Sequence, residues 1–226
     1  YKKVPSLAAM TRAGIDVLEK DEDGFFLMVE GGRIDHAAHA NDATGVIYDT
    51  IAFDQAVAAA YEFYNRHPNE TLIVVVGDHE TGGMGLGMDS MGYKLNLAAL
   101  LNTRISVEDT LAYGSGQYKG QKAPYLTLLR EKFGLTNLTE DEFMTLQKAM
   151  SDADNGMTMG YYKVNPAALT AAHILSKRAN ISWTTTIHTA TMIPMSATGV
   201  EAQRFSGWKD NTEIAATMAD LLGFAM

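Results

Sequence analysis

The sequence predicts an α/β fold: a mainly parallel sheet flanked by helices, with a helical and irregular insertion. Three observations predict it. Residues 25–29 (FFLMV) and 71–76 (TLIVVV) are short, uninterrupted apolar runs of strand length, the pattern of strands buried on both faces. Between them lies a long stretch with helical periodicity, and strand–helix–strand is the unit of a parallel sheet. Each run also stops abruptly in polar residues, Glu30-Gly31-Gly32 and Gly77-Asp78-His79-Glu80. Sheets of this kind gather ligands at the carboxyl ends of their strands.

Taken in order, residues 5–20 read as a helix opened by Pro5-Ser6, with Leu7, Met10, Ile15, Val17 and Leu18 as its apolar members. Asp21-Glu22-Asp23-Gly24 is a turn before the first strand. The helix after it spans about residues 43–65 and is broken by His67-Pro68-Asn69. Past the second strand the chain turns Met- and Gly-rich. Thr139 to Glu142 forms a capping box, and Asn165-Pro166 is an N-cap followed by proline at the first helical position. Residues 183–194 are strand-like and Thr-rich, and residues 212–224 form a closing amphipathic helix. The expected organisation is a main α/β domain from residues 1–84 and 181–226, with 85–180 inserted as a crown, lid or dimer-contact region.

Bulk properties narrow the chemistry. A formal charge of −9 and only 18 Lys plus Arg among 226 residues argue against nucleic-acid binding, which needs clustered cations. With no cysteine, thiol catalysis and Cys-based zinc sites are excluded, so any zinc must sit among His, Asp and Glu. No apolar run reaches the roughly 18 residues of a membrane span, and no signal-peptide pattern is present. The chain opens on Tyr1 rather than Met, so a preceding segment is expected in the gene.

The chemistry-bearing residues fall at three places. Asp35 and His39 are four apart, which puts a carboxylate and an imidazole on one helical face just after the first strand and its terminal Glu30. Asp78 and His79 are adjacent, but a turn after the second strand can aim both at one ion. His188 lies in a Thr-rich strand and on its own is more simply structural. Packing or turn formation accounts for His67 and His173. Asp152 to Gly156 resembles a calcium loop but has glycine at the fifth position and Lys163 at the twelfth, where a bidentate Glu is required, and the reading is rejected. Neither GxGxxG nor GxxxxGK[ST] occurs.

Read together, these segments resemble the alkaline phosphatase family. Residues 25–39 (FFLMVEGGRIDHAAH) resemble its metal-binding segment, and residues 71–83, ending in Asp78-His79-Glu80-Thr81-Gly82-Gly83, resemble its second one. His188-Thr189-Ala190 resembles the segment with its final histidine, and Phe205-Ser206-Gly207 with Asp210-Asn211-Thr212 its closing region. The resemblance implies two zinc ions and one magnesium: Asp35, His39 and His188 on the first zinc, Asp78 and His79 on the second, Glu30 on the magnesium. His36 would adjoin the phosphate without binding metal. It further implies small phosphomonoester substrates, inorganic phosphate as product, a phosphoserine intermediate, a homodimer and a periplasmic or secreted location.

The family's serine nucleophile, phosphate-clamping arginine and an Asp bridging the second zinc and magnesium have no counterpart here and are expected upstream. The chain alone is therefore expected to hydrolyse phosphomonoesters poorly. Two other readings compete: a related phosphodiesterase, sulfatase or phosphomutase sharing the metal ligands, and a non-catalytic metal-binding module.

Overall fold

A computed structural model describes residues 4–224. Residues 1–3 and 225–226, which fall in the expected main-domain ranges, lie outside the described residues. In chain order the elements are α1 (Leu7–Leu18), α2 (Arg33–His39), α3 (Ala43–Arg66), β1 (Leu72–Val76), β2 (Glu80–Thr81), α4 (Lys122–Lys132), α5 (Glu140–Asp154), α6 (Pro166–Arg178), β3 (His188–Thr189), β4 (Met195–Gly199) and α7 (Asn211–Leu221). A π-helical turn, Val107–Ala112, and short 3-10 turns join them. The chain divides into two compact units. One comprises Tyr1–Gly31, Ile51–His79 and Thr191–Met226, the other Gly32–Thr50 and Glu80–Ala190.

In the first unit, Ser6 caps α1 by accepting from the Ala9 amide at 3.2 Å. Strand β1 forms where the β-branched run predicts it. Its partner is antiparallel β4, in register from Leu72 opposite Gly199 to Val76 opposite Met195. The expected parallel neighbour fails to appear. Residues 25–29 are extended but join no ladder among the described residues, and their exposure alternates, with Phe26 and Met28 facing out. An apolar run specifies extended backbone, but a strand also needs a partner to take its amides and carbonyls. Within this chain, then, the segment is an extended stretch with one exposed face rather than a strand buried on both faces. Strand β4 was not anticipated, because Met195-Ser196-Ala197-Thr198-Gly199 carries little apolar signal. Helix α7 has its Asp210–Glu213 capping box but buries no residue.

The second unit holds the larger core. Helix α6 is its axis: of its 13 residues, ten, from Pro166 to Ser176, are buried. Small residues such as Ala167, Ala168, Ala171 and Ala172 let neighbouring elements close around it. Leu111, Leu129, Phe133, Leu146 and Met150 pack in the same cluster. The capping box at Thr139 and Glu142 forms as predicted, with the Thr139 amide donating to Glu142 at 2.9 Å. Arg178, at the end of α6, then grips Glu142 with Nε and Nη2, at 2.8 and 2.6 Å, and donates to the Thr136 and Asn137 carbonyls. That bidentate pairing pulls the Glu142 carboxyl down to about 2. No helix among the described residues is long and apolar enough to cross a membrane.

Candidate metal centre

Helix α2 presents Asp35 and His39 on one face, as the four-residue spacing predicts. Strand β3 brings His188 beside them. Its pairing with β2 places Thr81 opposite His188 and Glu80 opposite Thr189. Three ligand atoms then converge. His39 Nε2 lies 3.1 Å from His188 Nε2 and 3.3 Å from Asp35 Oδ1, and His188 Nε2 lies 3.6 Å from that same carboxylate oxygen.

This triangle can be tested against zinc geometry without any ion present. Tetrahedral ligands bonded at 2.0–2.1 Å stand about 3.3–3.4 Å apart. A point about 1.9 Å from all three atoms lies in their plane, so an ion slightly above it would sit at bonding distance from each. The donor set of two imidazoles and one carboxylate suits zinc. His188 and Asp35 keep solvent access, which leaves a fourth position open.

The surroundings hold Asp35 and His39 in place. Thr81 Oγ1 donates to Asp35 Oδ1 at 2.5 Å. His39 Nδ1 donates to the Thr186 carbonyl at 2.7 Å, leaving Nε2 as the lone-pair nitrogen of a neutral ring. Asn41, 1% exposed and at φ 48°, donates to the carbonyls of Ala38 and Thr185, both at 3.0 Å, and so ties α2 to the segment leading into β3. Its remaining oxygen accepts from His173 Nε2 at 2.8 Å. His173 is thus structural, as the sequence suggested, and its burial pushes its pKa down. Glu80 takes the Gly83 amide at 2.8 Å and the Thr189 hydroxyl, closing the β2–β3 turn.

His36 is half-exposed, and its Nδ1 lies 2.9 Å from Glu108 Oε1 on the π-helical turn. Arg33 bridges the same turn, reaching Glu108 at 3.4 Å and Asp109 at 2.5 Å. The hydrogen bond to Asp109 raises the Arg33 pKa further. Buried Asp42 fixes the start of that turn, accepting from the Val107 amide at 2.8 Å and the Gly45 amide at 2.9 Å, while its burial pushes its carboxyl above the usual range.

The remaining expected ligands belong to the first unit. Asp78 and His79 follow β1, with Asp78 Oδ2 3.1 Å from His79 Nε2, so the turn does bring these neighbours together. Glu30 ends the extended segment 25–30 beside Leu7, Met10 and Leu27, with its carboxylate exposed.

Sequence reasoning did not single out Thr81, Asn41, Thr186, Glu80 or Glu108. Thr81 and Glu80 lie inside a motif that was read, and their nearness to the ligands was the available signal. Nothing in the sequence marks Asn41 or Glu108, whose roles depend on contacts 144 and 72 residues away.

Comparison with known proteins identifies the family. The alkaline phosphatase family model matches residues 1–224. Alkaline phosphatase 3 of Bacillus subtilis is 34% identical over 99% of this chain and 45% of its own length. Among solved structures, Thermus thermophilus alkaline phosphatase is 29% identical with a TM-score of 0.77 over 99% of this chain and 48% of that one. The cold-active alkaline phosphatase of Shewanella sp. is 27% identical, again with a TM-score of 0.77, over 96% and 50%. The chain therefore spans about half the length of these relatives. Its fold is alkaline-phosphatase-like, and the chain belongs to the alkaline phosphatase family.

Proposed function

We propose that this chain carries most of the metal ligands of a two-zinc, one-magnesium phosphomonoesterase that works through a phosphoserine intermediate. The observation that carries the reading is the triangle of Asp35, His39 and His188 donor atoms, whose edges of 3.1–3.6 Å fit one face of a tetrahedral zinc site. In this reading Asp78 and His79 hold the second zinc and Glu30 the magnesium. Zinc supplies Lewis acidity and ionises water at near-neutral pH.

The chain's own residues orient the donors. The Thr186 carbonyl fixes the His39 tautomer, and the Thr81 hydroxyl holds the Asp35 oxygen toward the two imidazoles. Glu108 positions His36 at the lip of the site, where its ring can meet phosphate. In this reading the serine nucleophile, phosphate-clamping arginine and bridging Asp lie outside this chain, which spans 45% of the length of one relative. Within that whole, residues 25–29 and β1 gain the parallel neighbours the apolar runs call for, and residues 85–180 form the inserted region at the site entrance. A homodimer and a periplasmic or secreted location complete the reading.

The test is turnover. A protein joining this chain to the missing half hydrolyses p-nitrophenyl phosphate in a zinc-dependent way, and bis(p-nitrophenyl) phosphate far more slowly, while the 226-residue chain alone does so poorly or not at all. Faster diester than monoester hydrolysis by the joined protein would overturn the phosphomonoesterase reading.

A further inference from the structure

Beside the donor triangle lies a recess of about 240 Å³. Ala40, Ala112 and Val164 give it an aliphatic lining, which Tyr113 and Tyr162 share. We infer that this recess receives the leaving group of the phosphomonoester and favours an uncharged aromatic one over an anionic one, an inference that rests on the phosphatase reading above.

Size and position agree with it. An apolar cavity of about 150 Å³ is enough to hold benzene, and this recess is larger. It shares Asp35 and His39 with the candidate metal centre, so a group bonded to a phosphate held there would emerge into it. The two tyrosines are also set in place. The Tyr113 hydroxyl donates to the Tyr162 carbonyl at 3.1 Å, and the Tyr162 ring stands edge-on to His39 with centroids 4.5 Å apart. Both rings remain about half-exposed, at 56% and 48%, and so offer faces to a ligand. A third aromatic ring between such walls gains edge or offset-stacked contacts worth about a tenfold preference.

Charge supplies the discrimination. Glu108 lines the recess, and Arg33 beside it is already committed to Glu108 and Asp109. Burial and the adjoining Glu108 keep the Tyr113 hydroxyl protonated. A leaving group bearing its own carboxylate would meet the Glu108 carboxylate, with the Arg33 guanidinium already engaged.

The experiment titrates the zinc-loaded protein that joins this chain to the missing half with inorganic phosphate, methylphosphonate, phenylphosphonate and 4-carboxyphenylphosphonate, followed by NMR. Phenylphosphonate is expected to bind about tenfold more tightly than methylphosphonate, with the 4-carboxyl group removing that advantage. Tyr113→Ala abolishes the phenyl advantage without changing methylphosphonate or zinc affinity, and Tyr113→Phe keeps it. Nuclear Overhauser contacts from the phenyl ring to the Val164 methyls provide a readout in the unaltered chain. Equal binding of the two phosphonates, or a phenyl advantage that survives Tyr113→Ala, overturns the subsite while leaving the phosphatase reading standing. Failure of phosphate and every phosphonate to bind brings down the phosphatase reading, and the subsite with it.

Discussion

His39 Nδ1 lies 2.7 Å from the carbonyl oxygen of Thr186, a residue 147 positions further along the chain. A carbonyl only accepts, so Nδ1 must carry the hydrogen, and the lone pair of the neutral ring is forced onto Nε2. That nitrogen is the one 3.1 Å from His188 and 3.3 Å from Asp35. One backbone contact therefore selects both the tautomer and the aim of a candidate metal donor.

The same logic applies to Asp35, whose Oδ1 accepts from the Thr81 hydroxyl at 2.5 Å. Thr81→Val keeps the side-chain shape and removes the donor. Outer partners of metal ligands are typically worth 10–100-fold in affinity, so zinc affinity of the variant should fall by about tenfold or more. Competition against a chromophoric chelator measures it, and unchanged affinity would show that Thr81 does not orient Asp35.

Asn41 is expected to matter for stability as well as for zinc. All its polar atoms are used, with two carbonyls and His173 as partners, and it sits at positive φ where Asn is tolerated. Asn41→Ala leaves buried groups unsatisfied and should destabilise the fold by about 2–4 kcal/mol. Denaturant unfolding checks the loss, and zinc titration should show weaker binding because α2 and the segment before β3 lose their tie.

Glycine is required at position 82. Its φ is 88°, and a Cβ there would come within 2.8 Å of the Trp183 ring and 3.1 Å of the Ala38 carbonyl. Gly82→Ala should cost about 2–4 kcal/mol through strain and overlap together, read as a lowered thermal midpoint.

The Glu142–Arg178 pair sets a pH dependence. Its folded-state pKa, pulled to about 2 from 4.5 chiefly by the Arg178 hydrogen bonds, makes its stabilisation fully present above pH 4.5 and lost as pH falls toward 2. With side chains 20% and 24% exposed, solvent screens part of the pairing, which leaves a worth of about 2 kcal/mol. Arg178→Ala should therefore be less stable than the unaltered chain at pH 7, with the gap closing between pH 4.5 and 2 in urea titrations. A gap independent of pH would show that Arg178 acts by packing alone.

Several features were legible in the sequence because they are local. The Asp35–His39 spacing, the Thr139 capping box and the Asn165-Pro166 start all depend on residues within four positions, and each forms as read. Residues 25–29 extend as read but join no ladder among the described residues, because apolarity reports a tendency to extend, while a ladder depends on a neighbour. Strand β4 escaped notice because it is defined by pairing with β1 rather than by its own side chains. His188 looked unremarkable alone, since only the β2–β3 register brings it to Asp35. Glu108 and Tyr162 could not be found from sequence because their partners are 72 and 123 residues distant.

The central claim is that Asp35, His39 and His188 share one ion, and cobalt substitution tests it most directly. Absorption by the Co(II)-loaded chain should show the intense visible bands of a tetrahedral site, and His39→Ala and His188→Ala should each lose them. A weak octahedral spectrum, or an intense one that survives both substitutions, would contradict a shared centre built from these three side chains.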